Sequence, residues 1–282
     1  MAERPKPITD RLMPETKALL QNIENQTGHQ VEVRLDHAIR ERGRAIYVVT
    51  DPNSEHHLVL VDPFYEQYLD HLVAHEAGHI IRFAESEPDS RLVPVFTGES
   101  VMAWTRQLLP EITSLVAKGL PAHAVGEVMP IWISGMVAQL SDTPSDINIE
   151  CWIHDELPAL RHIQEASLLN QIQTLHLVML PSVAAVTPKS VFLASNAINY
   201  TLVHEVAAML RRPDLLRPYR NTKAEEIGDL LLGLVSSGSS SKPSLASERE
   251  VSQLWAGQLG FSSWFEWRSL DSLPQNYRHA WE

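Results

Sequence analysis

The chain of 282 residues has a single cysteine, Cys151, so it can form no internal disulfide and no cysteine-rich metal site. That scarcity fits a reducing compartment, and a cytoplasmic location is expected. Basic side chains are also few, 23 against 35 acidic ones, for a formal charge of −12. A negative field of that size repels phosphate backbones and argues against nucleic acid as a partner. The one basic cluster, Arg211-Arg212 with Arg217 and Arg220, is small and local. Long apolar runs are missing too. The most apolar stretch, Val125 to Leu140, is interrupted by Glu127, Pro130 and Gly135 and falls short of a membrane span. The opening residues, Met-Ala-Glu-Arg-Pro-Lys-Pro, have no apolar segment behind their charges, so neither a signal peptide nor a membrane partner is expected.

What remains is an ordinary globular composition, 44% hydrophobic and 21% charged, with 13 histidines and 7 tryptophans. Residues 1–13 read as a loose arm. Helical spacing of Leu19, Leu20 and Ile23 predicts a helix over Pro14 to Asn25, ended by Thr27-Gly28. Three short runs, Gln30 to Leu35, Ala45 to Thr50 and His57 to Val61, carry strand signals with connections short enough for antiparallel neighbours. Asp62-Pro63 then opens a helix from about Phe64 to Phe83. From Gly98 onward the pattern is helical, with breaks expected at Pro110, Pro121, Pro144, Pro158, Pro181, Pro188 and Pro213. The expected fold class is therefore α+β: a small antiparallel sheet packed on one helix, then a mostly helical C-terminal half. The expected organisation is a domain over 14–235 with a helical insertion at about 94–140, a Ser-rich linker at 236–246, and a Trp-rich helical tail at 247–282. Trp255, Trp264, Trp267 and Trp281 mark that tail as a segment that docks on this chain or on a partner.

The chemistry concentrates in His75-Glu76-Ala77-Gly78-His79, an HExxH pattern with apolar flanks. Residues four apart share one face of a helix, so both imidazoles can reach one metal ion. Glu76 then stands beside the position of a bound water, where it can take a proton and later return it to a leaving group. The expectation is one zinc per chain, held by His75 and His79, with Glu76 as catalytic base. His71, one turn earlier, is a further candidate ligand or a packing residue.

A leading helix, a short sheet and a helix bearing HExxH resemble the compact zincin metallopeptidases of the ImmA/IrrE kind, a minimal gluzincin arrangement. The resemblance covers about residues 14–83, with a weaker echo at 144–165. It implies a zinc-dependent peptidase with a polypeptide substrate or a regulatory protein partner. The alternative is a catalytically silent zincin scaffold that binds a partner or acts as a sensor. The third ligand is expected from Thr143 to Leu157, where Pro144 with Ser145 marks a helix start and Asp146, Glu150 and His154 fall on one stripe. Glu150 lies mid-stripe, and the gluzincin resemblance favours a glutamate there. Asp146 or His154 would then orient a ligand or touch substrate, and either stays open as the ligand itself. Tyr200 and His204, in a second His-Glu pair lacking a histidine at position 208, share a helical face and are candidate hydrogen-bond donors to substrate.

Overall fold

The computed structural model describes residues 8–41, 46–50, 56–238, 244–269 and 272–273. Helix α1 (Pro14–Thr27) begins with proline in its first turn, where the missing N–H is no loss, and ends at Gly28, whose φ of 72° closes the helix by a bond from its N–H to the Glu24 carbonyl. Strand β1 (Gln30–Leu35), a short helix α2 (Ala38–Glu41), and strands β2 (Ile46–Thr50) and β3 (His56–Val61) follow. The sheet is three-stranded in the order β1-β3-β2. Asp62 accepts from the Phe64 N–H and starts a 3₁₀ turn, Pro63–Tyr68, that leads into α3 (Leu69–Glu85).

The remaining elements are β4 (Leu92–Val95), α4 (Gly98–Ala117), α5 (Ala122–Glu156), α6 (Arg161–Val178), α7 (Pro181–Ala184), α8 (Lys189–Met209), α9 (Lys223–Gly238), α10 (Leu245–Leu259) and β5 (Glu266–Ser269), which pairs antiparallel with β4. The described residues fall into two compact units. One is drawn from Met1–Arg91, Ile149–Leu169 and Leu270–Glu282, the other from Leu92–Asn148 and Asn170–Ser269.

In the first unit, Val31, Val33, Val59 and Val61 point from one face of the sheet into a core shared with Leu20 and Ile23 of α1, Val73, Ala77 and Ile80 of α3, and Ile149 and Ile153 of α5. Helix and sheet thus bury their apolar faces against each other, as an α+β arrangement requires. α3 and α5 approach closely: a Cβ built on Gly78 would lie 2.8 Å from Ile149 Cγ2, so glycine lets the two helices touch. The second unit has its own core, with Leu108 of α4, Met136, Val137 and Leu140 of α5, Ala197 and Ile198 of α8, Leu231 of α9, and Trp255, Phe261 and Trp264.

Several expectations need correction. β2 and β3 are antiparallel, but β1 runs parallel to β3 in the register Val31↔His57, Val33↔Val59, so the sheet is mixed. The hairpin β2–β3 turns its far strand beside β1, and a return of that kind leaves β1 and β3 running the same way. Pro110 lies inside α4, and Pro130 and Pro144 lie inside α5, so Pro144 does not start a helix. A proline inside a helix removes one backbone bond and clashes with one carbonyl, and long helices held by a core bear that locally. Pro181, Pro188 and Pro213 do stand at the beginnings of elements.

The arm is not loose over residues 8–13, since Ile8 and Leu12 are buried and the Ile8 N–H bonds the Val33 carbonyl at 3.0 Å. Residues 94–140 supply β4, α4 and most of α5 to the second unit. Of the expected linker, residues 236–238 continue α9 and Ser244 caps α10, while 239–243 lie outside the described residues. The Trp-rich segment contains a strand as well as a helix. Trp255 and Trp264 are fully enclosed in the second core, and Trp281 lies outside the described residues.

Candidate metal centre

α3 carries three histidines at four-residue intervals, His71, His75 and His79, which places their rings along one face. Its other face is apolar and fixes the helix in the core. The His75 and His79 rings are 5.0 Å apart, and their Nε2 atoms face each other at 3.2 Å. Two nitrogens bound to one tetrahedral zinc, each at about 2.05 Å, stand about 3.3 Å apart. The imidazole pair therefore fits a shared ion.

α5 carries Asp146, Glu150 and His154 one turn apart, as their spacing predicts. Glu150 is 4% exposed and faces α3. Its Oε1 lies 2.8 Å from His75 Nδ1 and 3.1 Å from His71 Nε2, and its Oε2 lies 2.9 Å from His71 Nε2. Gln164 Nε2 donates to Oε2 at 2.8 Å and also to the Glu150 carbonyl at 2.8 Å. Burial alone would raise the Glu150 pKa, but the charge and hydrogen bonds of His71, with those of His75, outweigh it and hold the carboxyl far below its ordinary range. Glu150 thus meets His75 at Nδ1, the nitrogen turned away from His79, rather than at Nε2.

Asp146 lies one helical turn before Glu150 on α5, and His154 one turn after it. The His154 carbonyl accepts from Arg161 Nε at 2.6 Å, and the His154 Nδ1 is buried without a partner among the described residues. Glu76 is 7% exposed, and its carboxylate has no hydrogen-bond partner among the described residues.

Tyr200 and His204 belong to α8 in the other unit. The Tyr200 hydroxyl donates to Asp229 Oδ1 at 2.8 Å, and burial, then that carboxylate, push its pKa well above the usual phenol range. His204 Nδ1 lies 3.1 Å from its neighbour Glu205, with both side chains more than a third exposed. Sequence reasoning missed Gln164. It lies beyond the Pro158 turn, in α6, and carries no motif signal. The signal for His71 was its place four residues before His75.

No family model, no curated protein and no solved structure matches this chain.

Proposed function

We propose that this protein is a metal-dependent hydrolase, with zinc held by His75 and His79 and a peptide bond as its target. The observation that supports this most directly is that the two Nε2 atoms face each other at 3.2 Å along one side of α3. Two imidazoles four residues apart on a helix are a ligand pair suited to catalytic zinc, which keeps one position open. Kinship with compact zincin peptidases of the ImmA/IrrE kind is part of the same proposal. It rests on the HExxH spelling and on the order helix, sheet, motif-bearing helix.

A zinc ion bound there would supply the Lewis acidity that makes water a nucleophile near neutral pH. The rest falls to the chain. Glu76, next to the first ligand and without a hydrogen-bond partner among the described residues, takes the proton from the attacking water. As the carbon–nitrogen bond breaks, Glu76 delivers that proton to the leaving amine. This retained carboxylate favours an enzyme over a silent partner-binding scaffold, which has no use for a base beside an open ligand position.

The test is metal analysis of the purified protein joined to a peptide-library screen of wild type against Glu76→Gln. The expected result is one zinc per chain in both, with turnover of any cleaved peptide reduced about 10²–10⁴-fold in the variant. Cleavage at the wild-type rate by Glu76→Gln would overturn the mechanism. A different resident metal would overturn the choice of zinc.

A further inference from the structure

We propose that Glu150 is the positioning residue of this centre, not one of its ligands, and that His71 and Gln164 form a buried clamp that aims it at His75. The inference rests on the metal reading above and deepens it.

A neutral imidazole has one protonated and one bare nitrogen, and only the bare one can bind a metal. Glu150 Oε1, 2.8 Å from His75 Nδ1, accepts the proton-bearing side of that ring. Nε2 is thereby left bare, and Nε2 is the atom that faces His79 at 3.2 Å. An outer carboxylate that fixes a ligand's tautomer in this way also raises its basicity.

The clamp accounts for the remaining lone pairs. His71 Nε2 sits against both carboxylate oxygens, and Gln164 Nε2 takes Oε2 together with the main-chain carbonyl of the same residue. Side chain and backbone of Glu150 are thus held at once. Such a carboxylate, with His71 3% exposed and Gln164 fully enclosed, would have to give up buried bonds to turn toward a metal. That cost holds Glu150 on His71 and His75 rather than on a metal. His71 completes the four-residue series along α3 without being a ligand: its one hydrogen-bonding nitrogen is spent on Glu150, and its Nδ1 is buried with no partner among the described residues.

The test reads tautomers and metal affinity separately. Long-range ¹H–¹⁵N spectra of the histidine-labelled, metal-free protein should show His75 protonated at Nδ1 and His71 at Nε2. Glu150→Gln should move His75 away from that tautomer. It should weaken zinc binding about 10–100-fold while leaving the visible spectrum of the cobalt-substituted protein, which reports ligand number, unchanged. His79→Ala should alter that spectrum. His71→Phe, which keeps the packing and Glu150's bond to His75, should weaken zinc binding only a few-fold. Loss of a ligand from the cobalt spectrum in Glu150→Gln, or a wild-type His75 protonated at Nε2, would overturn the inference. If the variant does not fold, the wild-type tautomers decide alone. A wild type that binds no metal would defeat the metal reading, and the tautomers would still judge the clamp.

Discussion

The two units enclose polar groups of different kinds. In the unit that contains α3, the buried acids and imidazoles are His57, Asp62, Asp70, His71, Glu76 and Glu150. In the unit that contains α8, only Glu248 is of that class among the described residues, and the other buried polar groups are neutral, such as Ser100, Thr143, Asn196, Asn199, Thr201 and Ser252. Enclosing an ionisable group costs several kcal/mol unless it is paired or stays neutral, so a core that holds many of them needs a reason for each. Most have one here. Asp62 caps the turn before α3, Asp70 accepts the Met13 N–H at 2.7 Å, and Glu150 binds two histidines and a glutamine. The side chains of Glu76 and His57 have no hydrogen bond among the described residues. The second unit instead gathers tryptophans, with Trp255 Nε1 satisfied by the Leu231 carbonyl at 3.0 Å. Stability alone explains that interior. The α3 interior differs in holding ionisable groups, and the proposed function gives His71, Glu76 and Glu150 a use there.

The sharpest way to break the comparison is to treat its two His-Glu pairs alike. His75→Ala with His79→Ala should abolish stoichiometric zinc. His204→Ala with Glu205→Ala should leave zinc untouched and shift stability by no more than about 0.5 kcal/mol, because that exposed pair is of the kind worth little. Zinc analysis after gel filtration and a urea titration of both variants check this. Full zinc retention in the first variant would remove the distinction between the units.

A second prediction concerns His57, whose two ring nitrogens are buried without partners among the described residues and whose ring meets that of His29 edge-on at 5.5 Å. Burial, then the neighbouring His29, lower its pKa to about 4. The folded state therefore keeps His57 neutral while the unfolded chain protonates it near pH 6.5. Its contribution is fully present above about pH 6.5 and is lost as pH falls toward 4, on the order of 2–3 kcal/mol across the window. His57→Phe should flatten the fall in urea-determined stability between pH 7 and pH 4.5 relative to wild type. Equal slopes in the two proteins would show that His57 is protonated within the fold.

Much of the first unit was legible because its signals are local. Leu19, Leu20 and Ile23 announce α1, Gly28 ends it, and the alternation of Val31 and Val33 against polar neighbours announces β1. The parallel pairing of β1 with β3 was not legible, since short connections suggest hairpins and nothing in Gln30–Leu35 encodes which strand lies beside it. Pro110 and Pro144 misled for a related reason: whether a helix runs through a proline depends on packing elsewhere. At the candidate site, four-residue spacing is what sets His75 beside His79 on α3 and Asp146 in line with Glu150 on α5. Spacing does not say which imidazole nitrogen meets which carboxylate. That depends on ring rotamers and on Gln164, which lies 14 residues past Glu150 in sequence.

The smallest predicted effect tests how closely α3 and α5 are fitted to each other. In an exposed helix, glycine costs about 1 kcal/mol relative to alanine, so Gly→Ala should ordinarily stabilise. Gly135, in α5 within the second unit, has open space where a Cβ would go, and Gly135→Ala should gain up to about that amount. Gly78 sits within the HExxH sequence, and its added Cβ would lie 2.8 Å from Ile149 Cγ2 and 3.1 Å from Ile149 Cγ1. The first contact is closer than a real Cβ tolerates, so the β-branched Ile149 side chain, or α5 with it, must shift. Overpacking of this kind costs about 1–3 kcal/mol, which offsets the propensity gain and leaves Gly78→Ala destabilising by about 1 kcal/mol. Because Ile149 adjoins Glu150, the same shift should loosen the carboxylate from His75 and lower zinc affinity along with stability. In an Ile149→Ala background the clash is gone, and Gly78→Ala should reverse sign and stabilise. Urea titrations of the four proteins in this cycle give the coupling directly. A Gly78→Ala effect of the same sign and size in both backgrounds would show that α3 and α5 are not in contact at this point.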